Sequence, residues 1–188
     1  MTLLVLGLAL FLSLHLLPTL PSARAGLLTR WGEQRYKGIF SLLSGVGFIL
    51  IVAGYYVGTR GAQLFASIPA ARAAAPYAMI IAFILLATSH SPSHIRATLK
   101  HPMLIGVLIW AIVHFLANGD LRGSILFGAL AAYAVVDLIS AVQRGATATF
   151  VPTVRADIIS IVAGTVVALL LMTFHRTLFG VPVVPFGY

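Results

Sequence analysis

The sequence predicts an all-α, polytopic membrane bundle of about six spans, in a single domain over residues 1–188. Three observations carry this expectation. The chain is 60% hydrophobic, with a mean hydropathy of +1.04. Only 9% of its side chains are charged, against roughly a quarter in soluble domains. Its apolar residues gather in long runs broken by Pro, Gly and Asn-Gly, as in helices that satisfy their own backbone in lipid.

The runs can be taken in order. The first, Leu3–Leu17, ends at Pro18 and Pro21, and the second, Ile39–Val57, ends at Gly58 and Gly61. The third, Ala75–Thr88, follows a small-residue segment, Ala70–Ala75, read as a loop, and closes at Ser91-Pro92. The fourth, Pro102–Ala117, stops at Asn118-Gly119, a pair suited to a left-handed C-terminal cap. Gly123–Ala141 and Ile158–Phe174 follow, with Asp157 opening the last run as an acid that complements the helix dipole. The first, third and fourth runs fall short of the about 20 residues that cross the hydrocarbon core. Each extends by a turn into neutral flanks.

The formal charge is +8, yet no basic, aromatic-interleaved patch appears, which excludes a nucleic-acid partner. The basic residues instead sort by side. Arg24, Arg30, Arg35, Lys37, Arg96, Lys100, Arg144 and Arg155 lie in alternate connections, and Arg60, Arg72, Arg122 and Arg176 lie opposite. The richer side is cytoplasmic, so both termini are expected outside, in a bacterial inner membrane. Ala23-Arg24-Ala25 has the look of a cleavage site, but Met1-Thr2-Leu3 lacks the positive n-region of a signal peptide. The first run is therefore expected to be retained. The chain has no cysteine, which excludes disulfides and thiolate metal ligands.

Polar groups inside apolar runs mark candidate sites, because lipid penalises them. Gly106, Trp110, His114 and Asn118 recur at i+4 and form one face of the fourth run. For His114 two readings stay open: an axial ligand, since neutral imidazole suits haem iron, or an interhelical hydrogen bond. Trp110 offers a flat face to a cofactor or packs as an ordinary helix contact. His175 shares the His114 layer if the sixth run lies parallel to the fourth. His101 points elsewhere, about 20 Å from His114 along the axis. It falls at the depth of Asp137, with Tyr133 one turn away, and Arg144 and Lys100 are other partners for that acid. His15 is an intramembrane histidine without a local partner. His90 and His94 have metal-face spacing, but Pro92 between them argues for a loop. Asp120 completes the Asn-Gly-Asp stop. The four acids are too scattered for a glycosidase-type or two-metal site, and no G-x-S-x-G or phosphate-cradling glycine loop is present, which excludes common hydrolytic chemistry.

Taken together, His101-Pro102, Gly106, Trp110, His114, Asn118-Gly119-Asp120, Leu126-Phe127-Gly128, Tyr133 and Asp137 resemble the NnrU family, as does Leu14-His15-Leu16-Leu17-Pro18. The resemblance covers essentially the whole chain. It implies an integral membrane protein tied to nitrite and nitric oxide metabolism, working beside other membrane proteins of that metabolism. The 15-cis-ζ-carotene isomerases, which are similar to this family, are b-haem enzymes, and that likeness implies His15 and His114 as haem ligands. An accessory thiol ligand is absent here. The His-Pro-x-x-x-Gly start of the fourth run is also similar to isoprenylcysteine-type membrane methyltransferases. However, Lys100 replaces their arginine and their later acidic pair is missing.

Overall fold

A computed structural model describes residues 1–181 and 183, and among them the regular structure is helical, with an isolated bridge between Gln63 and Asp120 in the connections. Helix α1 is Thr2–His15, followed by a 3-10 turn at Leu17–Thr19. Then come α2 (Pro21–Val57), α3 (Pro69–Thr88), α4 (His94–Leu99), α5 (Pro102–Asn118), α6 (Leu121–Gln143), α7 (Val154–Thr173) and α8 (His175–Phe179). Among the described residues, α2, α3, α6 and α7 are long and apolar enough to cross a membrane, while α1 and α5 are shorter apolar helices. The C-terminal end, expected outside the cell, falls outside the described residues.

Two boundaries differ from expectation. The Ala70–Ala75 segment is not a loop, because α3 starts at Pro69. Proline suits a helix's first position and alanine is its best former, so small residues there extend the helix. Similarly, α2 begins at Pro21 and runs through residues expected to form a connection. Its 37 residues would reach about 55 Å if straight, far more than the hydrocarbon core. Gly32, at φ 74° and ψ 160°, breaks it. That conformation is open to glycine and strained for other residues.

The helices pack in the order α2, α1, α6, α5, α3, α7, with the α1–α6 contact the thinnest. Glycines bring the backbones together. A Cβ on Gly7 of α1 would stand 2.6 Å from the Ile51 nitrogen of α2, and one on Gly54 would strike the Leu4 main chain. On the other side, a Cβ on Gly106 would meet the Ala82 carbonyl at 2.8 Å, and one on Gly164 the Ile84 nitrogen at 2.5 Å. Leu4, Leu8, Ile51, Leu126 and Phe127 form a buried core where α1, α2 and α6 meet.

Gly119 ends α5 at φ 72°, the left-handed cap expected of the Asn-Gly pair. The connection after α2 is stitched over this turn. Leu64 N–H donates to the Gly119 carbonyl (2.8 Å), Ile68 to Leu116 (2.9 Å), and Leu121 to Ala62 (2.9 Å).

Candidate functional site

His114 lies one turn before the end of α5. Its Nδ1 donates to the Trp110 carbonyl at 2.8 Å, and Asn118 Nδ2 donates to the His114 carbonyl at 2.7 Å. With its one hydrogen-bonded nitrogen facing a carbonyl, the neutral ring carries its proton on Nδ1 and its lone pair on Nε2. The ring is walled by Trp110 (centroids 5.0 Å apart) and by Phe127 of α6 (4.8 Å).

The third neighbour is His175, at the start of α8, with ring centroids 6.4 Å apart and planes inclined by 29°. Its Nδ1 donates to the Val181 carbonyl at 2.7 Å, and Phe179 lies against it at 4.9 Å. Both imidazoles thus have the same polarity, Nδ1 held by main chain and Nε2 without a hydrogen bond to any described residue.

His15 occupies a separate place. Its Nδ1 donates to the Phe11 carbonyl at 2.8 Å, its ring stacks on Phe11 at 3.9 Å, and it meets Phe40 at 5.2 Å and the edge of Tyr133 at 6.0 Å. Tyr133, beside His15, lies two turns or so beyond Phe127, beside His114, on α6. The offset is about 9 Å at 1.5 Å per residue. The structure therefore brings His114 to His175 and leaves His15 deeper in the bundle.

Asp137 does not pair with His101. Tyr133 Oη donates to Asp137 Oδ2 at 3.4 Å, and Arg144 Nη2 stands 3.7 Å from Oδ1. Arg144 lies two turns further along the same helix and reaches back to the acid, also donating to Ser140. His101 caps the start of α5 through its backbone, and its imidazole makes no hydrogen bond with any described residue. Asp120 is the N-cap of α6, accepting from the Gly123 N–H at 2.9 Å.

Two arrangements were not foreseen. Arg122, only 8% exposed, donates from Nη1 to the carbonyls of Tyr55 (2.6 Å) and Gly58 (2.7 Å) and stacks 4.1 Å above the Tyr55 ring. It closes the carbonyl end of α2, where cations are favoured. Asp157 does more than complement its own helix. It accepts from His94 Nδ1 (2.6 Å) and the Ile95 N–H (3.2 Å), tying α4 to α7, while Ser91 and Ser160 bond nearby at 3.0 Å. The sequence signal was a lone Arg inside a helix start and a His two residues after Ser91-Pro92. Neither names its partner.

Among the described residues no group of three or more His, Asp or Glu side chains could hold a metal ion. Helices of this length and apolarity fit an integral membrane helical bundle. The chain belongs to the NnrU family, whose model, described as NnrU protein, matches residues 3–183. No curated protein and no solved structure matches it.

Proposed function

We propose that this protein is a six-span component of the bacterial inner membrane, with its amino terminus outside, that binds b-haem at His114 and serves nitrogen-oxide metabolism. The observation that carries the reading is the His114–His175 pair, two imidazoles 6.4 Å apart in an aromatic setting. Each has Nδ1 fixed by a carbonyl, the arrangement that orients a histidine ligand and raises its basicity. His114 and His175, two imidazoles, would hold haem iron, and haem would supply redox or small-ligand chemistry there. The chain's own residues hold the rings in place: Trp110 and Val181 through their carbonyls, and Phe127 and Phe179 by packing. The resemblance to the NnrU family is the basis for the nitrite and nitric oxide context.

His15, the ligand implied by the isomerase likeness, is the alternative second donor. It would need α1, together with the α2 to which Gly7 and Gly54 lock it, to slide by about 9 Å along α6. This favours His175. The decisive measurement is the absorption spectrum of the purified protein: a Soret band lost in His114→Ala supports the reading, and a protein that takes up no haem overturns it.

A second reading has its own support. His114 and Asn118 satisfy themselves on main chain one turn away, as residues in a purely structural helix do. A colourless protein that co-purifies with other membrane proteins of nitrogen-oxide metabolism would mark it as a non-enzymatic partner.

A further inference from the structure

At the end of the bundle where α3 and α6 finish and α5 and α7 begin, a cleft of about 320 Å³ opens between α4 and the α6–α7 connection. It is lined by Arg96, Lys100, Thr147, Thr149 and Phe150, among others. We propose that this cleft is a binding site for a phosphate group.

The charge balance supports the assignment. The chain has four acidic residues, and all are engaged elsewhere. Glu33 pairs with Lys37, Asp120 caps α6, Asp137 meets Tyr133 and Arg144, and Asp157 holds His94 and Ile95. No carboxylate neutralises the two cations of the cleft. The Lys100 ammonium and the hydroxyls of Thr147 and Thr149 make no hydrogen bond with any described residue. Two cations of different shape, one a planar fork and one a point charge, beside two hydroxyls, match the oxygens of a phosphate.

The cleft is also positioned by its backbone. Arg96 is fixed from two sides: its guanidinium lies 4.8 Å over the Phe150 ring, and Nη1 reaches the Ser91 carbonyl at 3.5 Å. Lys100 has φ 63° and ψ −45°, which makes it the one non-glycine residue at positive φ among the described residues. Such a conformation is strained, and strain of this kind gathers at ligand clamps and switch regions. Here it turns the chain from α4 into α5 while Lys100 stays at the cleft.

The cleft lies at the ends of the apolar helices, the level of lipid headgroups. An anionic phospholipid and free phosphate both present the required chemistry, and the membrane surface concentrates the first. The proposal is independent of haem binding.

The test uses the full chain. Nanodiscs of phosphatidylcholine with and without phosphatidylglycerol, followed by native mass spectrometry, report which lipid stays bound. Titration of detergent-solubilised protein with inorganic phosphate, followed by phosphorus NMR, reports the free ion. The expected result is selective retention of phosphatidylglycerol, or saturable phosphate binding. R96Q/K100Q should weaken either by tenfold or more, since each charge-assisted contact contributes about 1.4 kcal/mol or above, and R96K should keep most of it. Retention of phosphatidylglycerol assigns the site to lipid, and binding of the free ion alone assigns it to soluble phosphate. No preference in either assay, or wild-type binding by R96Q/K100Q, overturns the proposal. If the double variant fails to fold, K100Q decides in the same way, because the Lys100 ammonium has no hydrogen bond or ion pair with a described residue to lose.

Discussion

The Arg122 guanidinium lies 4.1 Å above the ring of Tyr55 and holds that residue's carbonyl at 2.6 Å. A cation from the start of α6 thus closes the end of α2. Arg122→Ala should lower stability by about 3 kcal/mol, because two carbonyls lose a charged donor. Arg122→Lys should recover part of this, keeping the charge without the fork. Chemical unfolding in detergent measures both, and an alanine variant as stable as wild type would refute the clasp.

Among the histidines, His114→Ala should abolish haem retention. His175→Ala should convert a six-coordinate spectrum to five-coordinate, and His15→Ala should leave coordination unchanged. The reverse outcome at positions 15 and 175 would reassign the second ligand to α1.

The α1–α2 hairpin rests on glycine contacts, where added methyl groups have nowhere to go. Gly54→Ala should destabilise by about 1–3 kcal/mol, as overpacking does, and loosen α1 from α2. Proximity labelling between cysteines introduced on the two helices reads this directly. An unchanged labelling pattern and unchanged stability would contradict the contact.

Asp137→Asn should leave the His101 imidazole signal unmoved in NMR and act through Arg144 instead. Arg144 and Asp137 are 26% and 13% exposed and 3.7 Å apart, so their coupling in a double-mutant cycle should be about 0.5–1 kcal/mol. A shift of the His101 resonance would restore the pairing that depth alone suggested.

Several helix ends were legible because they depend on neighbouring residues. Gly58 follows the last residue of α2, Asn118-Gly119 ends α5, and Asp120 caps α6. Counting residues along α5 and α6 suggested equal depth for His101 and Asp137, but rotation and long-range choice were not legible. Asp137 had three cations within plausible reach, and the side-chain direction on one helix selected Arg144. Arg122 was counted as a loop charge marking one side of the membrane, yet it is buried. Its partners lie on a helix completed long before it, where no local pattern could reveal them. His175 was placed in the His114 layer by depth, and α8 brings the two ring centres to 6.4 Å from each other.

Helix α3 stands between α5 and α7, touched closely by Gly106 from one and Gly164 from the other. Both partners leave the ribosome after it does. The α1–α2 hairpin can seat as soon as α2 is made, but α3 must wait in lipid as an orphan until two later segments arrive. A nascent chain halted just after Thr88 should therefore hold a finished hairpin beside a helix still open to crosslinking by the insertion machinery. Bulky replacements at Gly106 or Gly164 would prolong that exposure without blocking entry into the bilayer, and quality-control proteases would meet them as unassembled helices.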